Sequence, residues 1–236
     1  MKNKKRTQSR ILSVMLALVM AVSLSCSVFS VDTYAASSKS QVNTAVNKLM
    51  KGIKQCNEKN VNACMPKNMQ AGYTDLKATT PGLYSYIKKA NNKMSYKITK
   101  TTVKKNRATV KVKVKYADGA PFCENFLRVV ARGMMDGSVD PNAMSISGDM
   151  SDAELFKLIQ AYDNLFAKAA NLTSVSKMRT QTITLKLVKS GKSWRLSAVS
   201  DDLNNVMTAD VSRAMQALAA DQDAMMQIIM SEMYGL

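Results

Sequence analysis

Histidine is absent from the sequence, although the chain has 236 residues. Without an imidazole, the chain cannot build a Ser-His-Asp triad, a Cys-His dyad or a histidine-ligated zinc or iron site. Cys123 therefore has no histidine that could activate its thiol. These absences exclude the histidine-dependent hydrolases and metalloenzymes.

Glycine-rich loops are also missing, because the nine glycines are scattered singly and form no phosphate-binding loop. Oxygen-bearing side chains do gather in one segment, at Asp136, Asp140, Asn142, Asp149 and Asp152. They lack the D-x-[DN]-x-[DN]-G spacing of a calcium loop, so a polar loop ending in a helix cap is the favoured interpretation. We expect no metal site and no cofactor.

Acidic residues are scarce, with 17 Asp and Glu against 34 Lys and Arg, a formal net charge of +17. Such a charge suggests an anionic partner, for example a teichoic acid, a phospholipid surface or an acidic polysaccharide. General solvation is the alternative interpretation. Aromatic residues make up only 6% and do not alternate with the lysines, so we expect no nucleic-acid partner.

The N-terminus has the layout of a secretory signal. A basic segment ends at Arg10, an apolar run extends from Ile11 to about Leu24, and small residues stand at Ala35 and Ala36. This order predicts a signal peptide over residues 1–35, followed by a Ser-rich linker over residues 36–40.

Two alternatives stay open for this segment. Cys26 follows Ser23-Leu24-Ser25, which resembles a bacterial lipid-attachment signal except that Ser23 replaces the usual Leu, Val or Ile. The apolar run could also extend to Val31 and anchor the chain in a bilayer without cleavage. All three interpretations place the protein outside the cytoplasm, either secreted or at the cell surface.

Three cysteines, Cys56, Cys64 and Cys123, follow the signal. An odd number is not a complete disulfide framework. A Cys56–Cys64 disulfide would close a short loop across a helix end, and free buried thiols are the alternative.

The clearest structural pattern is ATVKVKVKY, residues 108–116. Valines alternate with Lys111, Lys113 and Lys115, which predicts an antiparallel strand with one buried and one solvated face. Alternation also predicts strands at residues 94–103, 180–188 and 193–199. Helical spacing, proline starts and a capping box predict helices at residues 41–56, 61–65, 81–90, from 121, behind Ser151, and at 210–233.

This order predicts an α+β domain with an antiparallel sheet of about four or more strands and a helical insertion between two hairpins. The paired helices of residues 41–65, the hairpin YKITKTTVKKNRATVKVKVKYADG and the segment TITLKLVKSGKSWRLSAVSDDLNNVMTAD resemble the exported nuclear-transport-factor-two-like domains of Gram-positive bacteria. Many of those cystatin-like domains have no known function, while others are ketosteroid-isomerase-like enzymes or binding modules. The resemblance implies a curved, cone-like sheet packed on N-terminal helices over residues 41–209, with residues 210–236 as a C-terminal helix.

The resemblance also implies an apolar pocket for a small ligand or a peptide. Its candidate lining is aromatic, and ordinary core is the alternative interpretation: Tyr73, Tyr84, Tyr86, Phe126 and Trp194. Carboxylates that could serve an isomerase-type reaction are Asp118, Glu124, Asp201 and Asp202, with Tyr96 or Tyr116 as hydrogen-bond donors. At turns and strand ends such aspartates commonly bond the local backbone instead.

The methionines near the C-terminus give the last helix a soft apolar surface, which suits either core packing or a docking or homodimer seam. Our leading hypothesis is a non-catalytic extracellular or cell-envelope binding module with a basic sheet face. A small pocket enzyme and an assembly protein are the two alternatives.

Overall fold

A computed structural model describes residues 39–139 and 152–235. The fold is α+β, as predicted. In chain order the helices are α1 (Lys39–Gln55), α2 (Glu58–Asn62), α3 (Tyr73–Thr79), α4 (Pro81–Asn92), α5 (Ala120–Met135), α6 (Asp152–Leu172), α7 (Asp201–Met207), α8 (Val211–Ala220) and α9 (Gln222–Tyr234). The strands are β1 (Ser95–Lys104), β2 (Arg107–Ala117), β3 (Met178–Ser190) and β4 (Ser193–Leu196).

The four strands form one antiparallel sheet in the order β1-β2-β3-β4. A tight turn at Lys105 and Asn106 joins β1 to β2, and Lys105 has a positive φ of 52°. The register between these strands shifts between Ile98 and Lys100, where Thr99 forms a bulge and its hydroxyl donates to the Lys111 carbonyl at 3.1 Å. Both predicted hairpins are therefore present, with α5 and α6 between them.

The even-numbered residues of β2 face the core and are almost completely buried, from Val110 to Tyr116. Helix α1 contacts β1 at one edge of the sheet and β4 at the other, so it crosses the inner face. Its apolar stripe is fully buried there: Val42, Val46, Leu49, Met50 and Ile53. The buried face of β2 and the apolar stripe of α1 thus form one core.

The structure differs from the sequence prediction at several elements. Helices α3 and α7 were not predicted, and the second predicted helix lies at Glu58–Asn62 rather than at residues 61–65. Strand β4 ends at Leu196, although the Ser197 amide still donates to the Lys186 carbonyl at 2.9 Å. The predicted linker overlaps α1, because that helix already begins at Lys39.

The C-terminal segment is helical, as predicted, but it is not one helix. Asp221 separates α8 from α9 with non-helical torsion angles (φ −110°, ψ 82°), and its side chain accepts a hydrogen bond from the Ala224 amide at 3.0 Å. An aspartate that caps the following helix in this way ends the preceding one. The predicted signal peptide, Cys26 and the loop residues Asp140, Asn142 and Asp149 lie outside the described residues.

Candidate functional site

The solvated face of β2 carries a row of three lysines, Lys111, Lys113 and Lys115, and all three are exposed. Alternate residues of a strand lie about 6.8 Å apart, so the row places ammonium groups at regular steps along the sheet. Their intervening neighbours point into the core. The structure therefore places the predicted basic residues together on one open surface, which we call the basic face.

Cross-strand pairing widens the basic face. Lys97 of β1 lies opposite Lys113, and Lys100 lies opposite Lys111. On the other side of the row, exposed threonines of β3 lie opposite the lysines in the pairs Lys111 with Thr184, Lys113 with Thr182, and Lys115 with Thr180. Residues paired across an antiparallel sheet point to the same side. The lysine row thus runs between further lysines and a row of hydroxyls.

The basic face contains no counter-charge of its own. None of the four strands has an aspartate or a glutamate. In the part of the chain that the structure describes, no ion pair involves a lysine of the row. Uncompensated cations on a continuous surface produce a positive potential that attracts anions.

A second charged site lies at one end of the sheet, where the chain leaves β2. Asp210 is fully buried at the start of α8, with a left-handed backbone (φ 65°). Arg213 holds it by two hydrogen bonds, Nε to Oδ1 at 2.8 Å and Nη2 to Oδ2 at 2.5 Å. The hydrogen bond to Asp210 raises the pKa of Arg213 above its ordinary value. A bidentate guanidinium–carboxylate pair is the strongest form of this contact.

Asp118 shares this cluster. Its Oδ1 lies 3.6 Å from Arg213 Nη2, its Oδ2 lies 3.4 Å from Lys177 Nζ, and Oδ1 also accepts from the Ala120 amide at 3.1 Å. Arg179 Nε lies 3.7 Å from Asp210 Oδ2. Two buried carboxylates therefore meet three basic side chains, and the cluster joins the ends of β2 and β3 to α5 and α8.

None of the other carboxylate candidates contacts Arg213, although Asp202 reaches the cluster through other side chains. Asp202 accepts a hydrogen bond from Gln181 Nε2 at 2.5 Å, and Gln181 Oε1 in turn accepts from the Tyr116 hydroxyl at 3.0 Å. Glu124 and Asp201 are exposed on α5 and α7. The Tyr96 hydroxyl donates to the Asn47 carbonyl at 3.4 Å, away from these acids. Tyr116 also contacts Arg179 of the cluster, so Gln181 and Tyr116 connect Asp202 to it.

The candidate pocket aromatics are distributed within the core. Tyr86 stacks on Phe122, and Phe126 stacks on Phe166, with ring centroids 4.1 and 4.6 Å apart. The Tyr73 hydroxyl donates to the Met207 carbonyl at 3.1 Å. Trp194 is buried on the edge strand β4, and Tyr84 is only half-buried. The pocket stays a prediction, and ring–ring packing accounts for the burial of Tyr86 and Phe126.

The three cysteines of the described residues are free and buried. Cys64 Sγ donates to the Ala45 carbonyl at 3.4 Å, whereas Cys56 Sγ accepts from Asn91 Nδ2 at 3.8 Å. Cys123 Sγ lies 3.9 Å from the Val211 carbonyl oxygen. Burial raises the pKa of each thiol. The structure therefore does not join Cys56 to Cys64, and none of the thiols is poised to ionise.

The C-terminal methionines divide between core and surface. Met225 and Ile229 of α9 are buried, and α9 packs against α5. Glu232 pairs with Arg128 at 3.1 Å and also with Arg132. Met226, Met230 and Met233 are half-buried, and Tyr234 is 61% exposed. A homodimer seam on this helix stays a prediction.

Among the described residues, no group of three or more His, Cys, Asp or Glu side chains has an arrangement that could hold a metal ion. No helix within the same residues combines the length and the apolarity needed to cross a bilayer.

Sequence reasoning found the lysine row and missed Asp210. The row is visible as strict alternation over nine residues. The partners of Asp210 are distant in sequence, and the only local signal is Arg213, three residues after it. Comparison of the chain with protein-family models, curated proteins and solved structures found no significant match.

Proposed function

We propose that this protein is a non-catalytic binding module that acts outside the cytoplasm and holds an anionic polymer of the cell envelope on its basic face. The observation that carries the proposal is the basic face itself, an exposed sheet surface with lysines on adjacent strands and no acidic residue on any strand. The signal-like N-terminus supports the location. The nuclear-transport-factor-two-like resemblance would provide the fold family.

The charged clusters favour binding over catalysis. Asp118 and Asp210 are the buried carboxylates that an acid–base reaction would need, yet both are held in ion pairs with Arg213. Arg213 thus occupies oxygens of both carboxylates, and these contacts hold the end of β2 against the start of α8. The lysines of the basic face have no such partners and can contact a ligand directly.

Retention on envelope fragments of the producing cells tests this proposal. We expect retention to decrease as the salt concentration rises, since exposed ion pairs are screened. The triple variant Lys111→Gln, Lys113→Gln, Lys115→Gln should lower the affinity by roughly 100-fold, since each lysine near an anionic surface contributes on the order of 1 kcal/mol.

A matched control removes the same charge elsewhere. Lys51, Lys59 and Lys77 are exposed on α1, α2 and α3. Their triple replacement by Gln should change the affinity less than 3-fold. Equal losses in the two triple variants would mean that net charge alone causes retention, and the basic face would not be the binding site.

A further inference from the structure

The hydroxyl row of β3 gives the basic face a second chemical character. Thr180, Thr182 and Thr184 are all exposed. Each lies directly opposite one lysine of the row on β2. Adjacent strands are about 4.8 Å apart, so every step along the sheet presents one ammonium group and one hydroxyl side by side. A ligand lying between β2 and β3 would meet the same pair of donors three times.

The two donors at each step match one anion with two free oxygens. A lysine acts as a point charge, and a threonine hydroxyl donates a single hydrogen bond. A phosphodiester has two non-bridging oxygens that point apart, so one can face the ammonium group and the other the hydroxyl. A planar carboxylate is matched best by the fork of one arginine. The three lysine–threonine pairs contain no arginine, since Arg107, the arginine of β2 on the same face, lies four residues before Lys111 and opposite Val188.

The repeat along the strand defines the shape of the ligand. The donor pairs recur about every 6.8 Å, the distance between alternate residues of a strand. A chain in which a short polyol separates successive phosphates can place its charges at comparable steps. We propose that the ligand of the basic face is a linear polyphosphodiester that lies along β2, with successive phosphates between a lysine and a threonine. This inference depends on the proposed function and names its ligand class.

A linear polymer fits the face better than a membrane surface does. The exposed large apolar side chains of the described residues are Met135, Leu172 and Tyr234, and all three lie near helix ends rather than on the sheet. Interfacial membrane binding normally requires apolar side chains beside the cations. A twisted sheet also presents its lysines along a curved path, which a flexible chain can follow and a flat bilayer cannot.

The test compares three probes at one ionic strength by calorimetry: a polyglycerol phosphate, a polyglutamate of similar length, and phosphatidylglycerol vesicles. The variant is Thr180→Val, Thr182→Val, Thr184→Val, which removes the hydroxyls and keeps the shape and the lysines. We expect it to weaken polyglycerol phosphate binding at least 5-fold, since each hydrogen bond to a charged group contributes measurably. Polyglutamate binding should be weaker in the wild type and should not change in the variant.

Thr102→Val is the control substitution, because Thr102 is exposed on β1 opposite Thr109 and lies outside the lysine–threonine pairs. It should leave the affinity for every probe unchanged. An independent measurement uses wild-type protein with glycerol phosphate oligomers of increasing length. The affinity should rise steeply up to three phosphodiesters and slowly thereafter.

Each remaining outcome overturns the inference in a recognisable way. Equal binding of polyglutamate and polyglycerol phosphate, with no effect of valine, would leave an unspecific anion-binding face and preserve the proposed function. Binding to vesicles alone, lost in the triple lysine variant, would make the face a membrane contact. If no probe and no envelope fragment bound in a lysine-dependent way, the proposed function would fail together with the inference.

Discussion

The charged cluster requires a glycine at position 119, because no side chain would fit there. Gly119 lies between β2 and α5, and a Cβ placed on it would lie 2.5 Å from the carbonyl carbon of Asp210 and 2.6 Å from its oxygen. The φ of Gly119 is −76°, which any residue can adopt, so close packing alone demands glycine here. The Gly119 amide also donates to Asp210 Oδ2 at 3.4 Å.

Gly119→Ala should therefore destabilise the protein by about 1–3 kcal/mol, because backbone atoms of Asp210 must move to admit the methyl group. The control is Gly72→Ala, where the nearest atom to a new Cβ is Asp75 Oδ2 at 3.9 Å. Urea denaturation of both variants measures the difference. Equal stabilities of the two variants would show that Asp210 moves without penalty.

For single residues, the sequence predicts contacts between positions that are close together in the chain. Asp118 was expected to bond local backbone, and it accepts from the amide of Ala120, two residues later. The buried Asp210 could not be predicted, because Gly119, which donates to it, is 91 positions away. Whether a carboxylate is buried depends on which distant segments of the chain pack together, and the residues next to it in the sequence do not reveal this.

Among the elements, α9 and α5 are joined by one acidic side chain in addition to their apolar packing. Glu232 accepts from Arg132 and from Arg128, and these hydrogen bonds, that of Arg132 first, lower the pKa of Glu232. A carboxylate whose folded pKa is lowered stabilises the fold above its unfolded pKa, about 4.3. That contribution disappears as the pH falls through the lower, folded pKa.

Glu232→Gln should thus lower the unfolding free energy at pH 7 by about 0.5–1 kcal/mol, a small value because Arg128 and Arg132 are partly exposed and the pairs are screened. At pH 3 the difference between variant and wild type should be smaller than at pH 7. Thermal melts at the two pH values measure it. Glu124→Gln is the control, because it removes one charge from an exposed glutamate of α5 outside this contact.

Sequence periodicity was enough to predict some of the helices and strands but not all of their ends. The strands of the two hairpins were predicted to within three residues at each end, and α5 was predicted at its start, because alternation and a proline start are local signals. The break at Asp221 was missed, since apolar residues continue at helical spacing across it, from Met215 to Met225. A cap that interrupts a continuous apolar pattern is visible only when its side chain is seen to accept a backbone amide.

For the whole molecule, buried thiols and phenols should make the folded state less stable at alkaline pH. Burial is the main cause that raises the pKa of all the following groups: Cys56, Cys64, Cys123, Tyr73, Tyr86, Tyr116 and Tyr162. The folded state keeps these protons when the unfolded chain releases them, above about pH 8.5 for thiols and 10 for phenols. The unfolding free energy should therefore fall as the pH rises above 8.5.

Each thiol that stays protonated in the folded state lowers the unfolding free energy at pH 10 by about 2 kcal/mol relative to pH 7. Urea midpoints at pH 7 and pH 10 should show the loss, and in Cys123→Ala the loss should be smaller by that amount. A thiol reagent at pH 8 should label the native protein slowly and the urea-unfolded protein fast. Fast labelling of native Cys123 would contradict its burial.

The cross-strand pairs of Lys97 with Lys113 and of Lys100 with Lys111 also have a consequence for the lifetime of the protein. Like charges directly opposite one another destabilise a sheet, so the empty basic face weakens the fold that displays it. A bound polyanion removes this repulsion and stabilises only the folded chain. If the basic face binds a polyanion as proposed, a copy without that ligand would open more often and be digested by proteases sooner, so degradation would spare the bound copies.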